Sequence, residues 1–189
     1  AQDAHWMSGL DKTPIEITLP TSLKATLTIR DYGQGLTHQE VEEIYTRYGT
    51  STKRETNNAI GALGLGCKSA FSVTKSFNIT SITDETVTKY VANISESGLP
   101  TLSVISSSPR TSEQTSGLKV EIPINKREVT DYAKELDLFQ FWAPEPTIIN
   151  GEIPKDEIAL TMRCKESDTT LYIREKKMVN TYSNRKESS

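Results

Sequence analysis

The sequence has few cysteines and no long apolar run, and each shortage excludes a class of protein. Two cysteines, Cys67 and Cys164, cannot build a disulfide framework in 189 residues and indicate a reducing compartment. No apolar run approaches the roughly 18 to 20 residues that span a bilayer, and no cleavable signal pattern opens the chain. The net charge of −3 gives no general reason to expect nucleic acid as a partner. We therefore expect a soluble intracellular protein.

The length predicts one domain followed by a shorter extension. A domain of this size can bury a sizeable core. Pro144-Glu-Pro146 marks the predicted boundary, so that residues 1–143 form the domain. Residues 144–189 are charged and poor in apolar side chains, and they are a C-terminal extension or the start of a following domain. We expect two short strands in this segment and a disordered end.

Apolar periodicity predicts both strands and helices in the domain. Apolar residues alternate with polar ones over 15–19 and again over 23–29, and the short link Pro20-Thr-Ser between the two runs predicts a hairpin. Further alternating or apolar runs predict four strands, over 76–82, 88–94, 101–105 and 118–124. A first helix is predicted over 1–10, with an end at Ser8-Gly9. A second is predicted over 37–48, with a capping box of Thr37 and Glu40. A third is predicted after Asn125, with a buried face of Val129, Tyr132, Ala133 and Leu136.

A glycine-rich segment, Gly61 to Phe71, is the main candidate for a phosphate site. Glycines at 61, 64 and 66 let the backbone bring its N–H groups close to a ligand. Residues 68–73 then read as the first turns of a buried helix, whose N-terminus favours an anion. The alternative is a tight loop that only packs a helix on a sheet. Cys67, inserted between Gly66 and Lys68, and the polar residues before Gly61 argue against a P-loop NTPase.

A second glycine motif, Asp31-Tyr-Gly33-Gln-Gly35, follows the predicted second strand. A carboxylate at the end of a strand can accept a hydrogen bond from an exocyclic amine such as that of adenine, while Gly33 leaves room for the base plane. Residues 49–60 are polar and form a candidate lid, from which Lys53 either reaches phosphate or stays solvated. Cys67 is either a reactive thiol or a small residue packed at a helix start.

These two motifs, in this order, resemble those of the GHKL ATPases, the group that includes DNA gyrase, heat-shock chaperone, histidine kinase and MutL domains of the Bergerat fold. Within that group, residues 1 to 140 look like the rIIA lysis-inhibition proteins of tailed bacteriophages. The likeness rests on five stretches: Asp3-Ala-His5, Arg30 to Leu36, Tyr45 to Lys53, Ile60 to Phe71 and Ser76 to Ser81.

The resemblance implies a fold and a set of site residues. The fold would be an α+β two-layer sandwich of the Bergerat type, a mixed sheet with helices on one face. Asp31 would bind the adenine amine, and Gly35 and Leu36 would line the base. Asp3 would close the family's first motif. The phosphates would meet a loop of Gly61, Gly64, Leu65, Gly66 and Cys67, with Lys53 and Lys68 as the nearest cations.

The sequence departs from the family pattern at two places. The family's catalytic Glu and magnesium-binding Asn would fall immediately before Ala1, so no catalytic or metal residue is assigned in this chain. Loss of the Asn would still allow Mg²⁺ to bind through water and phosphate, whereas loss of the general base should nearly stop hydrolysis. The family's third glycine motif is represented by Thr115-Ser-Gly-Leu-Lys119, where Thr115 or Ser116 would supply the hydroxyl.

The resemblance also implies a function for the parent protein. It would bind ATP with Mg²⁺ and hydrolyse it slowly, and lid closure would control partner contacts in lysis inhibition or resistance to host exclusion. The implied partners are ATP or ADP, a second copy of the chain, and a phage or host membrane-associated protein. The location would be the cytoplasm of the infected bacterium, peripheral to the inner membrane. The alternatives are a nucleotide-gated module that never hydrolyses, a scaffold with a relict pocket, and a MutL-like or chaperone-like ATPase of another pathway.

Overall fold

The computed structural model describes residues 1–46, 66–136, 139, 144–153, 161–163 and 170–172. These residues fall into two compact units, Ala1–Ile153 and Pro154–Ser189. The first unit therefore reaches ten residues beyond the predicted boundary at 143. The reason is a strand after the Pro-Glu-Pro segment that joins the sheet of the first unit.

The first unit contains a seven-stranded mixed sheet. Its strands are β1 Glu16–Thr18, β2 Thr26–Arg30, β3 Ser76–Ile82, β4 Thr86–Ile94, β5 Pro100–Pro109, β6 Gly117–Pro123 and β7 Thr147–Ile149. The order across the sheet is β5-β4-β3-β6-β2-β1-β7. The pair of β1 and β7 is parallel, and the other neighbouring strands pair antiparallel. The predicted hairpin and the four later strands are confirmed, although β2 starts only at Thr26 and leaves Leu23 exposed.

The described helices are α1 Gln2–Met7, α2 His38–Thr46, a 3₁₀ helix Gly66–Ser72 and α3 Val129–Lys134. α1 ends as its sequence predicts. The N–H of Gly9 donates to the carbonyl of Trp6, and the N–H of Leu10 donates to the carbonyl of His5. Gly9 has a φ of +69°, which is the left-handed conformation that this type of helix end requires.

The capping box at the start of α2 is confirmed. The N–H of Thr37 donates to Oε2 of Glu40 at 2.8 Å, and the N–H of Glu40 donates to Oγ1 of Thr37 at 3.3 Å. Each bond satisfies a backbone group that the helix itself leaves unpaired. The helix then buries Val41 and Tyr45, as the spacing of its apolar residues predicts.

Two other helices differ from their predictions. The segment after Gly66 is a short 3₁₀ helix, which ends where the N–H groups of Val73 and Thr74 donate to the carbonyl of Ala70. α3 begins at Val129 because Asn125 forms a local turn, in which its Oδ1 accepts the N–H of Arg127. Ala133, assigned to the buried face of α3, is exposed.

The main core lies between one face of the sheet and the helices that cover it. α2 contributes Val41 and Tyr45, and the 3₁₀ helix contributes Ala70. The strands contribute Phe77, Ile79, Tyr90, Ala92, Ile122 and Ile124. Burying each large apolar side chain stabilises the fold by about 1.5 to 3 kcal/mol. Successive residues of a strand point to opposite faces, so the strand residues between these core residues form the other, open face of the sheet.

A second, smaller cluster of Ile15, Ile17, Leu19 and Leu136 fills the β1 end of the first unit.

In the second unit, β8 Thr161–Arg163 pairs antiparallel with β9 Thr170–Tyr172. None of the helices in the described ranges has the length and apolar character needed to cross a bilayer.

Candidate functional site

Asp31 directly follows β2, and its buried carboxylate is held by backbone groups. Its Oδ1 accepts the N–H of Leu118 at 3.0 Å and the N–H of Gly33 at 3.2 Å. Its Oδ2 lies 3.9 Å from the amino nitrogen of Ala1, which is beyond hydrogen-bond distance. Within the described ranges no hydrogen bond is formed to Oδ2. One oxygen is therefore fixed by the backbone, and the other keeps its capacity to accept a hydrogen bond.

Gly33 packs against α1. A Cβ at this position would lie 2.9 Å from Cβ of Ala4 and 3.1 Å from the carbonyl oxygen of Ala4. The space assigned from sequence to a base plane is thus filled by Ala4. Glycine is needed here because it lets α1 approach the loop that carries Asp31.

Gly35 and Leu36 are fixed to β3. Gly35 has a φ of +76°, and a Cβ there would lie 2.3 Å from the carbonyl oxygen of Ile82. The N–H of Leu36 donates to Oγ of Ser81 at 2.7 Å, and the same hydroxyl donates to the carbonyl of Leu36 at 2.7 Å. Ser81 is only 1% exposed. This role of Ser81 was not predicted from sequence, although its position in register with Phe77 and Ile79 is a signal of a buried polar contact.

We expect Ser81→Ala to lower the free energy of unfolding by about 2 kcal/mol, because it leaves both backbone groups of Leu36 without their side-chain partner. Urea unfolding monitored by circular dichroism measures the loss. Ser103→Ala is the control, since Ser103 is an exposed strand serine, and it should stay within about 0.5 kcal/mol of the parent. Equal losses in the two variants would contradict the assigned role of Ser81.

His5 joins α1 to the Asp31 loop and is 2% exposed. Its Nε2 accepts the N–H of Tyr32 at 2.6 Å, so Nδ1 carries the proton that it donates to the carbonyl of Thr13 at 2.8 Å. From sequence, His5 was identified only as part of a family resemblance. Its structural role was missed because both partners are distant in the sequence.

Lys68 and Cys67 contact the C-terminal turn of α2. Nζ of Lys68 is buried and donates to the carbonyl oxygen of Ile44 at 2.7 Å, and Sγ of Cys67 lies 3.4 Å from the same oxygen. A cation at this end of a helix is favoured by the helix dipole. Burial raises the pKa of the Cys67 thiol, and the Lys68 ammonium only partly offsets this. The packing of Cys67 against the main core favours the packed residue over the reactive thiol.

Tyr45 connects the two glycine motifs. Burial raises the pKa of Tyr45, and the charges of Cys67 and then of Asp31 raise it further. Tyr45 lies in the main core, and Cys67 at the start of the 3₁₀ helix packs against that core.

Several predicted site residues lie outside the described part of the chain. They are Lys53, Gly61, Gly64 and Leu65, together with the predicted lid, residues 49–60. Asp3 is described and lies, half-buried, in the first turn of α1. Thr115 and Ser116 use their carbonyl oxygens to accept hydrogen bonds from Arg30, which was not among the predicted roles.

Comparison with known families decides the classification. Residues 7–121 match the model of the histidine kinase-, DNA gyrase B-, and HSP90-like ATPases. The chain belongs to this ATPase family. The match contains the Asp31 loop, α2, the glycine segment, β3 to β5 and most of β6, whereas Asp3, His5 and β7 lie outside it.

A solved structure supports the same fold. The ATPase and transducer domains of DNA topoisomerase II from Balamuthia mandrillaris superpose with a TM-score of 0.52 at 15% identity, over 68% of this chain and 35% of that chain. This chain thus spans about a third of the length of that protein. No curated protein sequence matches the chain. The seven-stranded mixed sheet is the α+β sandwich of the GHKL ATPases, as the sequence analysis predicted.

Proposed function

We propose that this GHKL domain binds ATP and ADP, with the adenine amine donating to Oδ2 of Asp31. The observation that carries this proposal is the geometry of the carboxylate. Two backbone N–H groups hold Oδ1 in a buried position, so the carboxylate is oriented before any ligand arrives. An amine donor from adenine would add a hydrogen bond to Oδ2, which accepts none from the described residues.

We assign the phosphates to the glycine segment that leads into the 3₁₀ helix. In this proposal Lys53 and the backbone of residues 61–66 contact the phosphates. Lys68 also has a structural task, because its ammonium group donates to the carbonyl oxygen of Ile44. It anchors the end of the phosphate segment to α2, which keeps that segment near the Asp31 loop.

Mg²⁺ would enter with the phosphates. The described residues include no cluster of three or more carboxylate, histidine or cysteine side chains that could hold a metal by itself. Mg²⁺ commonly keeps several waters and binds through one or two carboxylates together with substrate phosphates. We therefore propose that the ion is bound mainly by the phosphates of the nucleotide. When bound, the ion would neutralise phosphate charge. We propose slow hydrolysis by the intact protein.

The proposed biological role is a switch in which the nucleotide state controls contacts with a partner, including a second copy of the chain. Sequence likeness to the phage rIIA proteins supports a role in lysis inhibition or resistance to host exclusion. The corresponding location is the cytoplasm of an infected bacterium, peripheral to the inner membrane. Tight nucleotide binding without turnover by the intact protein would favour the nucleotide-gated module instead.

Thermal unfolding with Mg²⁺ and ADP tests the site. At about a hundred times its dissociation constant, a ligand adds about 2.7 kcal/mol to the free energy of unfolding. In a domain of this size that corresponds to a rise in Tm of roughly 5 to 10 °C. We expect Asp31→Asn to lose this rise and still fold, because an amide oxygen can accept the N–H groups of Gly33 and Leu118 while the amide nitrogen faces adenine as a second donor.

Asp11→Asn is the matched control, since it makes the same chemical change at an exposed position and should keep the full rise. A rise of equal size in Asp31→Asn would place the nucleotide elsewhere. No rise in the parent chain or in Asp11→Asn would contradict nucleotide binding by this chain.

A further inference from the structure

The open face of the sheet carries cations on neighbouring strands. Arg30 of β2 pairs with Lys119 of β6, which pairs with Thr80 of β3, which in turn pairs with Lys89 of β4. Directly paired residues point to the same face, so these four side chains lie side by side across four strands. They line a groove of about 320 Å³ on the face opposite the main core.

Arg30 is 9% exposed and only partly bonded. Its Nη2 donates to the carbonyl oxygens of Thr115 at 2.6 Å and Ser116 at 3.0 Å, and its guanidinium carbon lies 5.2 Å from the centre of the Tyr32 ring. Its Nη1 is buried and has no hydrogen-bond partner among the residues that the structure describes. A buried donor without an acceptor is unfavourable, and a bound anion can supply the acceptor that the described residues do not give Nη1.

Nearby carboxylates neutralise only part of the positive charge of Arg30, Lys119 and Lys89. Nζ of Lys119 lies 3.0 Å from Oε2 of Glu121, so this lysine is paired. Glu16 accepts a hydrogen bond from the hydroxyl of Tyr32 at 3.1 Å. Burial lowers the pKa of Arg30, and the carboxylates of Asp31 and Glu16 oppose that change. Lys89 is exposed and forms no ion pair within the described ranges. Lys89 therefore supplies a positive charge that no carboxylate of the described residues pairs with, and Arg30 supplies an N–H group without an acceptor there.

The remaining walls of the groove suit a compact organic molecule. Ile82 and Val87 give it an apolar side, and Thr80 adds a hydroxyl next to the cations. Its volume lies at the lower end of the range of about 300 to 1,000 Å³ that is typical of small-molecule pockets. The groove is thus lined by both cationic and apolar side chains.

We propose that this groove binds the phosphate group of a small phosphorylated molecule, through Nη1 of Arg30 and the ammonium group of Lys89. Donors on separate strands can reach different oxygens of a tetrahedral dianion, whereas a planar carboxylate offers only two oxygens and is satisfied by one guanidinium. Ile82 and Val87 contact the organic body of the ligand. This site is independent of nucleotide binding at Asp31.

Titration of the ¹⁵N-labelled chain with phenyl phosphate at constant ionic strength, followed by NMR, tests the proposal. We expect saturable shifts of the backbone amides of Thr80, Lys89 and Lys119. Phenol, which lacks the phosphate group, should give no saturable shifts at these amides. Non-saturating shifts with phenyl phosphate, or saturable shifts confined to residues 66–68, would overturn the proposal and leave nucleotide binding at Asp31 unaffected.

Lys89→Glu provides the decisive variant, because Lys89 is exposed and its replacement leaves Arg30 in place. We expect phenyl phosphate to bind this variant at least about tenfold more weakly, since one donor is replaced by a repelling charge. Lys24→Glu is the control: it makes the same change of charge at an exposed position outside the groove and should bind within about twofold of the parent. Equal weakening in the two variants would show a general charge effect and overturn the site.

Discussion

Gly117→Ala is expected to lower the free energy of unfolding by about 3 kcal/mol or more, from an unfavourable φ and a backbone overlap together. Gly117 has a φ of +125°, which L side chains rarely adopt. A Cβ there would lie 2.1 Å from the carbonyl oxygen of Asp31 and 2.8 Å from its carbonyl carbon. The clash is with backbone, so it cannot be relieved by a side-chain rotation. Urea unfolding should show a lower midpoint with an unchanged slope.

Gly98→Ala is the matched control for this prediction. Gly98 also has a positive φ, +78°, but a Cβ there would meet no atom within 4 Å. Its replacement should therefore show only the conformational part of the loss, about 1 to 2 kcal/mol. The difference between the two variants measures the overlap with Asp31. If both variants lost the same stability, close packing of β6 against Asp31 would not be the reason for glycine at 117.

His5→Ala should lower the free energy of unfolding by about 3 kcal/mol, because two backbone groups lose a buried partner and a cavity remains. The N–H of Tyr32 would lose its acceptor, and the carbonyl of Thr13 would lose its donor. Tyr32 follows Asp31 directly, so a looser loop should also weaken nucleotide binding. Urea unfolding and the ADP-dependent rise in Tm measure the two effects.

Trp6→Ala is the control for His5, since Trp6 is the next residue of α1 and is 52% exposed. It should lose much less stability than His5→Ala. NMR of the parent chain gives an independent check, because the two hydrogen bonds require the proton of His5 to be on Nδ1. A proton on Nε2 of the neutral imidazole would contradict the bond from Tyr32.

The parts of the fold that depend on neighbouring residues were predictable. The capping box of Thr37 and Glu40 involves residues three apart, and the end of α1 is determined by Gly9. Strand positions followed from strict alternation of apolar side chains, because one face of each strand packs on the core. The 3₁₀ helix after Gly66 was predicted as a helix, but its type and its end depend on how Ala70 packs against the sheet.

The candidate site was predictable only in its sequence motifs. Asp31 was placed correctly at the end of a strand, and Gly33 and Gly35 were assigned to the adenine base. The reason for Gly33 was not predicted, because it depends on Ala4 of a different element. Lys68 was assigned to phosphate, yet its ammonium group contacts Ile44. A lysine at a helix start has several partners within reach, and local sequence does not select among them.

The sequence by itself determined the strand and helix pattern, the two glycine motifs and the resemblance to the GHKL ATPases, since each of these is recorded in residues close together. Only the tertiary structure decided which groups hold the motifs in place. Tyr32 and His5 are 27 residues apart, Leu36 and Ser81 are 45 apart, and Arg30 and Thr115 are 85 apart. A hydrogen bond over such a separation depends on the pairing of strands and the packing of α1, and that pairing places Arg30, Lys119 and Lys89 in one groove.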